Sequence, residues 1–354
     1  CDHRDLHKEY RRQRQMCIRD RSNTSRLDAL AETLKRQTIE IYRNKEELKL
    51  PKSTTSTGDQ VTRQNIPAGS LIVPLNQPLN LLINNILSFD IRLDTKSMEK
   101  ERQKLMKGQG STLYDVTAWS LSHAYGTESY YTEAMPKFSK EPYQSSKKEG
   151  KLIGKNPKYG WAIKSNDDQF YHVLARLLEN NVKIWCAKET FNVEGEFFPR
   201  GSVIIRNNAN QELNKKLLKK LASDYGLDIF AVNTALVSSG PDLGSGDFTM
   251  LINPRIAIVA GQPISTYSFG ATWHLLDSRM KSRTSLLNVM SLGWQDLSKY
   301  NILILPSGYN LKRILDDSGI DKLKDWIKDG GTLISYSNNA AFLADSSVSI
   351  SSVR

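Results

Sequence analysis

Histidines come first in a search for chemistry, because neutral imidazole is a frequent donor to catalytic metals and carries protons near neutral pH. Of five in this sequence, His3 and His7 fall in a charged N-terminal stretch, leaving His123, His172 and His274. None opens an H-x-x-E or an H-E-x-x-H, spacings that set zinc ligands and a general base on one side of a chain segment. The nearest approach is His274 with Asp277, where a helix would bring imidazole and carboxylate to one face. No third ligand stands at a recognisable spacing, so the expected role of His274 is a boundary residue beside Trp273. There is no G-x-S-x-G elbow to expose a serine and no G-x-x-x-x-G-K-[ST] loop to cradle phosphate. Gly244-Ser245-Gly246 begins like a dinucleotide loop, but Thr249 stands where the third glycine belongs and no strand leads into it, so a turn is expected. Asp167-Asp168 and Asp316-Asp317 sit where helix starts and turns favour carboxylates, and capping is their default use. Cys1 and Cys17 share the N-terminal stretch with the two histidines. Cys186, inside the apolar run 182–187, reads as a small core residue.

The elements that would position such groups follow a repeated order. Leu27, Leu30, Ala31 and Leu34 mark an amphipathic helix over 25–37, followed by Ile39 and Ile41 on one strand face. PAGSLIV (67–73) is then a loop and strand, and a proline-started helix runs from Pro78 to about Leu87. In the second copy Phe170, Val173, Leu174 and Leu177 mark a helix over 168–180. Val182 and Ile184 form a strand, PRGSVII (199–205) a loop and strand, and 210–224 a helix. The shared order of helix, strand, loop, Pro-x-Gly-Ser, strand and helix predicts two related α/β units, 22–126 and 159–252. The stretch 127–158, rich in Lys, Ser, Pro, Gly and Tyr without periodicity, is expected to be a linker or surface lobe. Beyond the turn-rich 238–247 the pattern changes. Strands at 255–260, 301–305 and 332–335 and a helix at 320–328 predict a parallel-sheet, doubly wound, flavodoxin-like domain over 253–354, expected to be truncated.

A chain of 354 residues with 39% hydrophobic content is large enough for two or three domains. Its longest apolar runs are strand-length, so no membrane span is expected. Residues 1–21 lack the apolar middle of a secretory signal. QMCIRDR (15–21) resembles the translated end of a sequencing adapter, and residues 1–21 are read as an assembly artefact outside the fold. That stretch holds seven Lys/Arg and four Asp/Glu, a net of +3 out of the whole chain's +11, leaving +8. No block of five or six basic residues occurs, so nucleic acid is not an expected partner.

Several segments together resemble one family. PAGSLIVPLNQP (67–78), LYDVTAWSLSHAYG (113–126), FFPRGSVII (197–205), GPDLGS (240–245), 256–270 with Trp273 and Asp277, and DLSKYNILILPSG (296–308) are similar to the region behind the catalytic domain of bacterial zinc carboxypeptidases of the carboxypeptidase A class. YDVTAWSL (114–121) is the most specific of these. The resemblance implies a parent enzyme that hydrolyses C-terminal or cell-wall peptide bonds and is secreted or periplasmic. Its zinc ligands, glutamate base and carboxylate-gripping arginine would lie in an upstream domain outside this sequence. That domain and the parent's peptide substrate are the implied partners; zinc is expected there, and no cofactor in this portion.

The last segment resembles a class I glutamine amidotransferase-like domain, in which a cysteine sits at a tight strand-to-helix elbow after an apolar strand. Aligning residues 330–339 with that pattern puts Ser337 at the cysteine position and Asn339 at a glycine. A hydroxyl without a base is a far weaker nucleophile than a thiolate. The expected pocket is therefore a lapsed elbow formed by Ser307, Gly308, Ser337, Asn338 and Asn339, with Asn338 or Asn339 in a left-handed conformation. Three functions follow as expectations: an accessory, non-catalytic module of a metallocarboxypeptidase-like protein; a ligand-binding module using the lapsed pocket; or a weak hydrolase acting through Ser337.

Overall fold

A computed structural model describes residues 15–19, 23–89, 95–110, 120–133, 137–138, 141–145 and 148–352. It is a mixed α/β protein with two compact units, Cys1–Lys147 with Asn166–Asp168, and Lys148–Ser165 with Gln169–Arg354. Residues 114–119 of the YDVTAWSL run lie outside the described residues.

The first unit begins with strand β1 (Gln15–Arg19) and helix α1 (Thr24–Arg36), followed by β2 (Tyr42–Arg43) and a hairpin of β3 (Leu48–Thr55) and β4 (Gln60–Ile66). β5 (Leu71–Pro74), α2 (Asn80–Leu87), α3 (Thr95–Met106), α4 (Leu121–Ala124), β6 (Glu128–Thr132) and β7 (Glu141–Pro142) complete it. Leu27, Leu30, Ala31 and Leu34 are buried as their spacing requires, and each leucine so buried contributes about 1.5–3 kcal/mol before entropy is counted. The Asn23 side chain caps α1 by accepting from Arg26 N. The sheet runs β4-β3-β6-β1-β5-β2-β7.

Two expectations are corrected here. Residues 15–19 belong to the fold: β1 is an inner strand, antiparallel to both β5 and β6, with Cys17 and Ile18 fully buried. Three consecutive apolar residues suffice for a short strand covered on both faces, although they make no amphipathic pattern visible in a charged stretch. Nor is 127–158 merely a linker or surface lobe, although the division between the two units falls within it. It supplies β6, whose Ser129, Tyr130 and Thr132 are buried, together with β7, and the second unit's β8 (Leu152–Ile153). Its tyrosines and threonines suit a pleated strand, and their polarity concealed the burial.

The second unit continues with β9 (Gly160–Ile163), α5 (Gln169–Glu179), β10 (Trp185–Ala187), a hairpin of β11 (Phe191–Val193) and β12 (Glu196–Phe198), β13 (Val203–Arg206), α6 (Lys215–Tyr225), β14 (Ile229–Val232) and β15 (Phe248–Met250). This sheet runs β15-β10-β13-β9-β14-β8. Its central order β10-β13-β9-β14, antiparallel throughout, matches β2-β5-β1-β6 of the first unit in element sequence and direction. The Pro-x-Gly-Ser turns before β5 and β13 also agree: Gly69 and Gly201 have φ of 86° and 87°. Ser70 and Ser202 each donate a hydroxyl to the carbonyl of the proline three residues earlier, at 2.8 and 2.6 Å. The Asp168 carboxylate accepts from the side chains of Asn23 and Arg26.

Residues 253–354 contain β16 (Ile256–Ala260), α7 (Thr266–His274) running on into a π-helical turn at Leu275–Arg279, β17 (Thr284–Asn288), β18 (Ile302–Leu305), α8 (Asp317–Lys328), β19 (Thr332–Ser335) and α9 (Asn338–Ala344). The four strands form a parallel sheet ordered β17-β16-β18-β19. Asp316 caps α8 by accepting from Gly319 N at 2.8 Å, the use its position suggested. The expected boundary at 252/253 is not a division between compact units. On α5, Arg176 donates to the Lys281 carbonyl at 2.6 Å and His172 bonds the Arg279 carbonyl, tying this helix to the segment after α7. No helix among the described residues is long and apolar enough to cross a membrane.

Candidate functional site

Parallel strands all end on one side of their sheet, and loops leaving those ends converge there. In the last domain the loops after β16 and β18 and the elbow after β19 meet in this way. Ile264 and Gly308 form a backbone bridge, Ser265 N donates to the Ser307 carbonyl at 2.9 Å, and Tyr309 N donates to the Pro263 carbonyl at 3.2 Å. Ser268, on the first turn of α7, accepts from Ser307 N at 3.0 Å through its hydroxyl. Its carbonyl accepts from the Tyr336 hydroxyl at 3.3 Å, and Tyr336 also bonds the Thr272 hydroxyl. One helix start thus holds both the loop after β18 and the residue leading into the elbow.

The elbow is at Ser337. Between the end of β19 and the start of α9 its backbone has φ 57° and ψ −137°, a region ordinarily left to glycine and costing about 1–3 kcal/mol elsewhere. Such a strand-to-helix turn pushes a side chain out at the strand's C-terminal end, and Ser337 is exposed. The expectation that Asn338 or Asn339 would take the left-handed conformation is corrected. Both open α9 and so need helical backbone, which forces the reversal onto the residue before them.

Asn339 is 1% exposed and donates its side-chain amide to the Pro306 carbonyl at 2.6 Å, pinning the loop after β18 to the first turn of α9. Gly308 is needed beside it. A Cβ there would lie 2.9 Å from the Pro263 carbonyl oxygen and 3.1 Å from the Asn339 amide nitrogen. Asn338 is exposed next to Ser337. The five sequence-expected residues therefore occupy one end of the sheet: Ser337 and Asn338 exposed, Ser307 half-buried, and Gly308 and Asn339 buried beneath them. Sequence reasoning missed Ser265, Ser268 and Tyr336. The first two carried a signal in the S-T-x-S spacing of a helix start. Tyr309, 65% exposed, stands on the same loop as Gly308.

No imidazole or carboxylate bonds the Ser337 hydroxyl among the described residues. His123 bonds the Ser56 carbonyl at 2.9 Å and stacks on Phe89, and His172 is engaged with Gln169 and Arg279. His274 and Asp277 are both exposed, on the last turn of α7 and the π-helical turn. Among the described residues no group of three or more His, Cys, Asp and Glu is arranged to hold a metal ion. Neither described thiol is activated: burial pushes the Cys17 thiol up to about 12, and burial also raises that of Cys186, whose sulfur faces the Gly201 carbonyl at 3.6 Å. Comparison with protein-family models, curated proteins and solved structures finds no match to this chain.

Proposed function

We propose that this chain is an accessory, non-hydrolytic portion of a zinc carboxypeptidase-like protein, and that its last domain is a ligand-binding module built on a serine elbow. The observation that carries the binding reading is the conformation of Ser337. A glycine would hold φ 57° and ψ −137° without strain, yet a serine stands there with its hydroxyl exposed beside a loop fixed by Asn339 and Ser268. Backbone strain kept at the mouth of converging loops is characteristic of binding and catalytic sites. That no base among the described residues contacts the hydroxyl favours reversible binding over acyl transfer. The accessory reading rests on the sequence resemblance, and the similar strand order of the two antiparallel units supports an internal duplication within that region.

Thermal denaturation of the chain with a cell-wall stem peptide and with N-acetylglucosamine oligomers tests the binding reading. A ligand at a hundred times its dissociation constant stabilises the folded state by about 2.7 kcal/mol, and Ser337→Ala should shrink that shift. Silence with both probes, or a shift indifferent to Ser337→Ala, removes the binding reading. For the accessory reading, the gene's upstream reading frame should encode an H-x-x-E and a later histidine; an unrelated domain there overturns it.

A further inference from the structure

We infer that α6 and the segment 148–158 together form a docking strip for a flexible phosphodiester polymer, recognised by its charge. The two parts are about 60 residues apart in sequence, so neither makes a basic block on its own. The fold lays them side by side. Gly226, at the C-terminal end of α6, is packed against the Lys148 backbone, and Gly150 against Ala222 and Leu227. β8 then pairs in parallel with β14, and at the other end of the helix the Lys215 ammonium bonds the Asn156 side chain. Segment 148–156 therefore runs the length of α6, from its last turn to its first.

On these two segments stand Lys148, Lys151, Lys155, Lys158, Lys215, Lys216, Lys219 and Lys220, every one exposed; the carboxylates on or flanking them are Glu149, Glu212, Asp224 and Asp228, and Glu194 and Glu196 line a hollow with Lys155. None of the eight lysines forms an ion pair among the described residues. Their placement works against the stability of the helix. Lys215/Lys219 and Lys216/Lys220 are like-charged i,i+4 pairs. Two of them also occupy the first turn, where the helix dipole favours anions and where this helix has no acidic residue. A helix selected for stability alone would carry glutamates at some of these positions. A bound polyanion relieves both penalties.

The chemistry of the occupant follows from what accompanies the charges. Lysines one helical turn apart repeat at about 5.4 Å, and a flexible chain of phosphodiesters adjusts to that repeat. Proteins that hold single-stranded nucleic acid add exposed aromatic rings for base stacking. This strip offers none: Tyr225 is half-buried against the His172 ring, 5.4 Å between centroids, and the Tyr159 hydroxyl is bonded to the Leu243 carbonyl. Recognition by backbone charge without base stacking favours a polymer such as poly(glycerol phosphate).

Binding of the whole chain to poly(glycerol phosphate) as a function of salt tests this. If the eight lysines of the strip make the contacts, affinity falls about 2,000-fold between 50 and 200 mM salt, and in Lys216→Gln/Lys220→Gln the same change is only about 300-fold. Both side chains are exposed and glutamine has similar helix propensity, so the variant should fold; its circular dichroism is recorded alongside. A control with the same charge change on the last domain, Lys322→Gln/Lys328→Gln, should keep the response of about 2,000-fold. Equal losses in the two double variants would assign binding to net charge and overturn the strip. No binding at 50 mM salt would overturn it too, and tighter binding to a single-stranded oligonucleotide of equal charge would replace the proposed partner with nucleic acid.

Discussion

Asn339→Ala is the most direct probe of how the last domain holds its loops. The substitution removes a buried donor 2.6 Å from the Pro306 carbonyl and leaves that oxygen enclosed without its partner. Losing such a bond, with the acceptor still buried, costs about 1–3 kcal/mol. At about 2 kcal/mol, protected amides that exchange through opening of this domain should exchange about 30-fold faster. Hydrogen exchange followed by mass spectrometry on peptides covering β18, the 306–310 loop and β19 reads this locally, which suits a chain with more than one core better than a single melting temperature. Asn338→Ala is the control, because its side chain is exposed and substitutions there fall within about 0.5 kcal/mol. Asn339→Asp adds a test of sign. An ionised carboxylate would face a carbonyl oxygen in a buried site, so the folded chain keeps that proton to higher pH than the unfolded chain, whose aspartate titrates near about 3.9. The folded state then binds more protons, and stability must fall as pH rises above about 4. Equal exchange in the Asn338 and Asn339 alanine variants, or an Asn339→Asp penalty independent of pH, would refute the assignment of this bond as the pin between loop and elbow.

Two further outcomes are expected. Ser337→Gly should slow exchange in the β19–α9 segment, equivalent to about 1 kcal/mol once glycine's own entropy is charged against the released strain, whereas Ser337→Val should accelerate it; the opposite order would deny the strained elbow. In the first unit the Cys17 thiol titrates at about 12 when folded against an ordinary 9.0, because it is buried. The unfolded chain therefore loses this proton first as pH rises. Stability conferred by the thiol is complete below 9, drains away between 9 and 12, and amounts to about 4 kcal/mol at most. Denaturant midpoints over that range should fall more steeply for the unsubstituted chain than for Cys17→Ala; parallel curves would show that the thiol is not enclosed in the fold.

The sequence by itself determined the elements whose signal is local. The helices over 24–36, 169–179 and 317–328, the strands at 256–260, 302–305 and 332–335, and the two Pro-x-Gly-Ser turns were legible, since a 3.6-residue apolar period, a short aliphatic run or a turn residue is written in a few consecutive positions. The position of the turn after β19 was legible because an elbow follows its strand directly. Its internal geometry was not legible, because whether Ser337 or an asparagine takes the positive φ depends on where α9 begins. Only tertiary structure decided the rest. Gln15–Arg19 is an inner strand because β5 and β6 bracket it, and Tyr130 and Thr132 lie inside because the same sheet covers them. Lysines from two distant segments line one helix because β8 pairs with β14. Pairing and burial of this kind join residues far apart in sequence, and no local pattern of side chains records them.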